Sequence, residues 1–192
     1  MILRLKDVNV ETLSDAWYTL KRYTFTWKTF KGAWQRQSRE VYDRGNGVAV
    51  LMHNSHTGKV LLVRQFRMPT YINGNPTGLL LEVPAGVLDT DNPEECMIRE
   101  IREETGYTVP TVTRLFEAYT SPGAVTENLH FFYCDYAGAL KTDEGGGSTE
   151  ETEDLLVEEY PVTAIKNMLT RSEIKDAKTL LLLQYGFLKG LI

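Results

Sequence analysis

The stretch NPEECMIREIREETG, residues 92–106, decides how the rest of the chain is read. Asn92 is the residue type of a helix N-cap, and Pro93 suits the first helical position. Glu95 stands three residues after the cap, where a capping box places an acid. Met97, Ile98 and Ile101 recur at helical spacing and form an apolar side. Gly106 ends the pattern, as glycine does because it enters the left-handed region without steric cost. The spacing predicts a helix that starts at Pro93 and stops at Gly106. Three acids crowd its second half. Around a helix axis Glu100 and Glu104 lie about 40° apart, and Glu103 about 60° from Glu100 on the other side. Like charges so placed repel by roughly a few tenths of a kcal/mol. On these residues alone two readings stay open: a solvated acidic face, or a cluster that holds something positive.

Outward from the helix the chain reads as strands. Residues 17–30, WYTLKRYTFTWKTF, are rich in Thr and aromatics and predict a strand, with AWQRQSREVYDR (33–44) as its hairpin partner. GVAVLMH (47–53) and VLLVRQFR (60–67) are strands on either side of the turn NSHTGK. PTYINGNPTG (69–78) is a loop by its Gly, Pro and Asn content, and LLLEVPAG (79–86) is a short strand ending at Pro84. Past the helix, VTRLFEAYTSPG (112–123) and NLHFFYCDY (128–136) read as two strands around a loop, and GGG (145–147) as a flexible loop. Residues 161–170 and 176–188 read as helices. Strands with a few interspersed helices predict a mixed α/β (α+β) architecture.

A length of 192 residues suits one domain, or one with a small extra piece. The net charge of −5 argues against a nucleic-acid surface. No apolar run approaches the ~18 residues of a membrane span, and MILRLKDVNVETLSD lacks the layout of a secretory signal. Cys96 and Cys134 are the only cysteines, too few for a disulfide framework and without zinc-ligand spacing. A cytoplasmic protein with two buried thiols is expected. His53, His56 and His130 form no catalytic group by spacing. Oxygen-only acid clusters such as Glu100, Glu103 and Glu104 suit hard cations, Mg²⁺ or Mn²⁺, that bridge to phosphates, with Arg99 placed to steady one carboxylate.

GVLDTDNPEECMIREIREETGY (86–107) resembles the Nudix box, G-x5-E-x7-R-E-U-x-E-E-x-G-U with U a bulky aliphatic. Arg99, Glu100, Ile101, Glu103, Glu104 and Gly106 match its second half. The first half departs: Asn92 stands at the early glutamate, the gap to Arg99 is six residues instead of seven, and Tyr107 replaces the aliphatic. VYDRGNGVAVL (41–51), VRQFRMPTYINGNPTG (63–78), SPGAVTENLHFF (121–132), GGG (145–147) and IKDAKTLLLL (174–183) are similar to the GDP-mannose pyrophosphatase branch of the Nudix hydrolases, a branch related to the ADP-ribose pyrophosphatases. The resemblance covers almost the whole chain.

The resemblance implies a Nudix fold, a mixed sheet sandwiched between helices, over residues 47–192. It implies an N-terminal antiparallel β region over residues 1–46, which in this branch is exchanged across a homodimer. It implies hydrolysis of a nucleotide-sugar diphosphate, GDP-mannose to GMP and mannose 1-phosphate. The metal ligands it implies are Glu100, Glu104, the carbonyl of Ala85 just before Gly86, and one glutamate of STEETEDLLVE. EDLLV and the distance back from Tyr160-Pro161 favour Glu153 for that role, whereas counting forward from GGG favours Glu151. Glu103 supports the metal or orients water, and the glutamate that the family draws from a loop after the box matches at two places, Glu127 in SPGAVTEN and that acidic stretch, so that Glu103, Glu127 and Glu153 are the catalytic acids the resemblance implies. Substrate contacts by resemblance are Trp17, Arg39, Glu40, Arg67, Ala85, Gly86, Glu104, Glu127, Glu151 and Lys178. Trp17 keeps a stacking face where the branch has tyrosine. Two other functions compete: an ADP-ribose or ADP-sugar pyrophosphatase, and a Nudix-fold nucleotide-binding module without catalysis. The intact set of acids speaks against the second.

Overall fold

The computed structural model describes residues 4–88, 92–148 and 152–192. Its first strands are β1 (Leu5–Asp15), β2 (Thr19–Lys28) and β3 (Trp34–Asp43), an antiparallel meander in the order β1-β2-β3. The predicted hairpin is present with its ends trimmed, closed by the Thr29 N–H on the Ala33 carbonyl at 2.8 Å and by Gly32 at φ +90°. β1 falls in the antiparallel β region that the resemblance implies for residues 1–46, although its own residues do not announce a strand. Its sequence is polar at most positions, and the strand bulges near Asp7, which sits at φ +54°. None of the described residues of β1–β3 is buried. With the loop Tyr119–Asn128, the N-terminal residues up to Asn46 form one compact unit. That loop is tied to the end of β3: Tyr42 N–H donates to the Ala124 carbonyl (2.8 Å) and Thr126 N–H to the Tyr42 carbonyl (3.1 Å).

The second unit holds the remaining elements. These are β4 (Gly47–Asn54), β5 (Lys59–Phe66), α1 (Met68–Ile72), β6 (Leu79–Glu82), β7 (Ala85–Val87), α2 (Pro93–Thr105), β8 (Tyr107–Thr108), β9 (Thr113–Tyr119), β10 (Asn128–Asp135), β11 (Leu140–Lys141), β12 (Leu155–Pro161), α3 (Val162–Thr170) and α4 (Ala177–Lys189). Among the described residues the main sheet runs β12-β5-β4-β10-β9, with β6 on β5 and β7 on β4. β4 and β10 pair in parallel, whereas β5 pairs antiparallel with β4, β6 and β12.

β4 explains why this sheet lies between helix layers. Its run Val-Ala-Val-Leu-Met is apolar at every position because both faces are buried. Val48, Val50 and Met52 pack with Met97 and Ile101 of α2, while Ala49 and Leu51 pack with Ile165 of α3 and Leu182 and Leu183 of α4. The mixed sheet sandwiched between helices is therefore as the sequence implied.

Two local readings need correction. The loop 69–78 contains the one-turn helix α1, started by Pro69 near its N-terminus. The strand 79–86 does not end at Pro84. It leaves β5 after Glu82, bends through Val83 and Pro84, and resumes as β7 on β4. Pro84 has no N–H for a ladder, yet its carbonyl accepts from Val50 N–H at 3.0 Å. This crossover sets Ala85 and Gly86 under α2.

Candidate active site

Local sequence chemistry builds α2. The Asn92 side chain accepts from the N–H groups of Glu94 (3.1 Å) and Glu95 (3.4 Å), and Gly106 closes the helix at φ +76°. Met97 and Ile101, both fully buried, fix the helix rotation. That rotation sends Glu104 into the protein, where it is 2 % exposed, and its Oε2 accepts from Ala85 N–H at 3.2 Å. Glu100 lies against Gly86 so closely that a Cβ there would sit 2.1 Å from the Glu100 Cδ. Arg99 steadies the acids, with Nη2 on Glu100 Oε1 at 3.0 Å and Nε 3.8 Å from Glu103 Oε1. The Glu103 side chain is 41 % exposed, so the three acids do not share one environment.

The triple glycine is an ordered part of this site and not the flexible loop its composition predicts. Gly146 N–H donates to the Glu104 carbonyl (2.9 Å) and Gly147 N–H to the Glu103 carbonyl (3.1 Å), satisfying two carbonyls that a helix C-terminus leaves open. Gly145, Gly146 and Gly147 all have positive φ, and a Cβ on Gly145 would lie 2.6 Å from the Glu104 carbonyl oxygen. Glycine is required for both reasons. The same loop seats Glu153: Ser148 N–H donates to Glu153 Oε2 (3.1 Å), Glu153 N–H to the Ser148 carbonyl (3.0 Å), and a Cβ on Gly147 would strike the Glu153 side chain at 2.6 Å. Glu151 lies outside the described residues.

Charge accumulates here without enough compensation. Burial pushes the Glu100 carboxyl up to about 7 against the pull of Arg99, and the charges of Glu103 and Glu153 push it the same way. Burial raises Glu104 well above the usual carboxylate range, as do the charges of Glu153 and Glu100. Ala85 N–H and Lys178 offset this only in part. Buried, mutually repelling oxygen donors fit a hard divalent cation, whose charge reverses each of these shifts. Among the described residues no three acids, histidines or cysteines stand grouped so as to hold a metal ion. Glu100, Glu104 and Glu153 are each held by the protein instead.

A second cluster was only half foreseen. Arg67 and Lys178, both singled out from the sequence, converge on Glu82, which was not. Arg67 donates Nε to Glu82 Oε1 (2.8 Å) and Nη2 to Oε2 (3.0 Å), and the Lys178 ammonium donates to the same Oε2. Asp176 Oδ2 lies 3.2 Å from Lys178 Nζ and also caps α4 by accepting from Thr179 N–H at 2.9 Å. Glu82 is 1 % exposed. Burial raises its carboxyl, but Arg67 and Lys178 outweigh that and hold it at about 2, so it stays ionised. The one signal available in sequence was a charged residue closing the apolar strand LLLE. Its partners lie 15 and 96 residues away.

The other sequence-selected residues belong to the N-terminal unit. Trp17 is 80 % exposed and meets Tyr18 edge to face, with ring centroids 6.3 Å apart. Arg39 donates to the Ser38 carbonyl and to Gln37 Oε1, and Glu40 pairs with Arg22 at 3.3 Å. Glu127 accepts from Thr120 Oγ1 at 2.7 Å and lies 3.4 Å from Arg44 Nε, two partners the sequence did not suggest. Of the histidines, His53 faces the Tyr133 hydroxyl (3.4 Å) and His130 the Arg114 guanidinium (3.2 Å).

Comparison with known proteins follows this division. Residues 43–183 match the NUDIX domain. The chain belongs to the Nudix family. It is a Nudix hydrolase, and Nudix hydrolases generally use divalent cations. Residues 4–42 match the GDP-mannose pyrophosphatase NudK N-terminal domain. A GDP-mannose pyrophosphatase of Yersinia enterocolitica is 48 % identical over 192 residues, covering 100 % of both chains. One of Pectobacterium atrosepticum is 49 % identical over 183 residues, 95 % of this chain and 94 % of that protein. One of Yersinia pestis is 50 % identical over 187 residues, 97 % of this chain and 93 % of that protein. The crystal structure of an ADP compounds hydrolase superposes with a TM-score of 0.71 at 19 % identity, over 100 % of this chain and 97 % of that one, which shows a shared Nudix fold.

Proposed function

We propose that this Nudix hydrolase cleaves the diphosphate of GDP-mannose to GMP and mannose 1-phosphate with Mg²⁺, for which Mn²⁺ can substitute. The observation that carries the reading is the likeness to GDP-mannose pyrophosphatases, 48 % identical along the full length, N-terminal unit included. Glu100, Glu104, Glu153 and the Ala85 carbonyl are the residues to hold the cation, and the burial of Glu104, the partial burial of Glu100 and the repulsion both feel from Glu153 support that assignment. A cation held there neutralises charge on the diphosphate and lowers the pKa of the attacking water. The protein's own part is positioning. Arg99 and the Gly86 gap set Glu100, the glycine loop sets Glu153, and Glu103 stays exposed enough to support the metal or orient water. Arg67, Lys178, Gly86 and Glu104 are assigned to the diphosphate, and Trp17, Arg39, Glu40 and Glu127 to the remainder of the nucleotide sugar.

The test is a product assay with Mg²⁺ in which GDP-mannose and ADP-ribose are compared under one set of conditions. Faster turnover of GDP-mannose, yielding GMP and mannose 1-phosphate, is the expected result. A strong preference for ADP-ribose overturns the substrate, and inactivity on both returns the binding module.

The protein is further proposed to be a homodimer that acts in the cytoplasm. Both cysteines are buried, and among the described residues no helix is long and apolar enough to cross a membrane. A three-stranded sheet with no buried residue exposes Leu5, Val8, Val10, Trp17, Phe30, Trp34 and Tyr42. So much apolar surface on one small sheet calls for a cover, which a second chain supplies. Solution scattering at micromolar concentration is expected to give twice the mass of one chain. The mass of a single chain overturns the dimer.

A further inference from the structure

Glu82 sits at the end of β6, on the sheet face that carries α2, because it pairs in register with Val63 of the α2-facing core. It is buried and ionised, and three of the donors it accepts from belong to only two side chains, Arg67 and Lys178. These arrive from separate parts of the fold, the end of β5 and the first turn of α4. A further bond locks the arrangement. Val83 N–H donates to Thr179 Oγ1 at 2.8 Å, and Thr179 Oγ1 donates to Asp176 Oδ2 at 2.6 Å, so that the end of β6 is tied to the N-terminus of α4. Glu82 and Asp176 together balance Arg67 and Lys178. Both cations are near enough to Glu104 for their charges to act on it or be acted on by it.

Nothing in metal binding requires Glu82. A solvated Lys178 or Arg67 would move freely and lose side-chain freedom again on gripping a phosphate. Bidentate contact to one carboxylate instead freezes the guanidinium plane before substrate arrives. We propose that Glu82 is a positioning residue, which clamps Arg67 and Lys178 into one preset cationic pair beside Glu104 for the diphosphate to meet. This rests on the assignment of Arg67 and Lys178 to the diphosphate made above.

The experiment is steady-state hydrolysis of GDP-mannose by the full chain, with thermal melts run on each protein. The variants are Arg67→Ala, Lys178→Ala, Arg67→Lys, Glu82→Gln, and Glu82→Gln combined with Lys178→Ala. Arg67→Ala and Lys178→Ala are each expected to raise KM about 10-fold. Glu82→Gln is expected to raise KM at least as much while kcat stays within about 3-fold, since the clamp binds ground state and transition state alike. The double variant is expected to lose much less than the product of the two single losses, because both remove the same clamp. If Glu82→Gln does not fold, Arg67→Lys decides. It keeps the charge but not the two-pronged grip, and KM is expected to rise as in Arg67→Ala.

A folded Glu82→Gln protein with parental KM overturns the proposal, as do single effects that simply multiply, or an Arg67→Lys protein with parental KM. Parental KM in both Arg67→Ala and Lys178→Ala removes the underlying substrate assignment, and the proposal with it. A raised KM in those two with parental KM in Glu82→Gln removes the positioning role alone.

Discussion

Glu104→Gln is expected to melt above the parent in metal-free buffer near pH 7 and to hydrolyse GDP-mannose about 1,000-fold more slowly with Mg²⁺. The two effects have one cause. Glu104 is buried, it is repelled by Glu153 and Glu100, and Ala85 N–H with Lys178 offsets this only in part. Glutamine keeps an oxygen for the Ala85 N–H, which now lies 3.2 Å from Glu104 Oε2, and removes the charge. A carboxyl whose pKa is raised in the folded protein binds its proton more tightly there than in the unfolded chain. Above its unfolded pKa, near 4.5, the unfolded state releases that proton first, so metal-free stability falls as pH rises. Glu100, raised to about 7, adds to the fall between about 4.5 and 7. The excess stability of Glu104→Gln is therefore absent at low pH and grows as pH passes 4.5. At about 1–2 kcal/mol it shifts the melt by roughly 2–8 °C in a chain of this size.

Added Mg²⁺ reverses the order. A ligand that binds only the folded state stabilises it by about 2.7 kcal/mol at 100 times its Kd. The parent gains this, whereas the variant has lost a donor and gains less. Melting curves with chelator and with Mg²⁺, at several pH values, check both directions. A parent that melts higher in chelator at pH 7, or equal turnover by both proteins, refutes the role given to Glu104.

Gly86→Ala is expected to lower kcat about 100-fold while the protein stays folded and melts within about 4 °C of the parent. The nearest atoms to a Cβ at this position all belong to the Glu100 side chain: Cδ at 2.1 Å, Oε1 at 2.4 Å and Cγ at 2.5 Å. Gly86 is not among the positive-φ glycines and pairs with Val48 in an ordinary antiparallel register, so alanine suits its backbone. The clash is resolved by Glu100 swinging away, which costs little stability and removes a metal donor from its place. Kinetics with Mg²⁺ and the Mg²⁺-dependent rise in melting temperature are the readouts, and the rise is expected to shrink. Parental kcat in a folded Gly86→Ala protein would mean that the position of Glu100 does not limit the reaction.

The acidic helix was readable because its determinants are local. The Asn92 cap, the Met97 and Ile101 spacing and the Gly106 stop all act within a turn or two, and each is found in the structure. The strand GVAVLMH was readable for a related reason: a run apolar at every position marks a strand buried on both faces. The roles of Glu100 and Glu104 came from the Nudix resemblance, and their burial gives those roles a physical basis. What failed to show depended on contacts far apart in sequence. GGG looks flexible by composition, but in place its positive-φ backbone caps α2 and seats Glu153. β1 has no strict apolar alternation to announce it, and within one chain it buries neither face.

By itself, then, the sequence determined the helix and its register, the apolar strands and the number of acids on offer, since short-range sterics and periodicity govern all three. Only the tertiary structure decided which acid is buried and which stays wet. Met97 and Ile101 turn Glu104 inward and leave Glu103 at the surface. Only the tertiary structure, too, brought Glu82 to Arg67 and Lys178, because a buried carboxylate becomes tolerable when the folded chain delivers cations to it from 15 and 96 residues away.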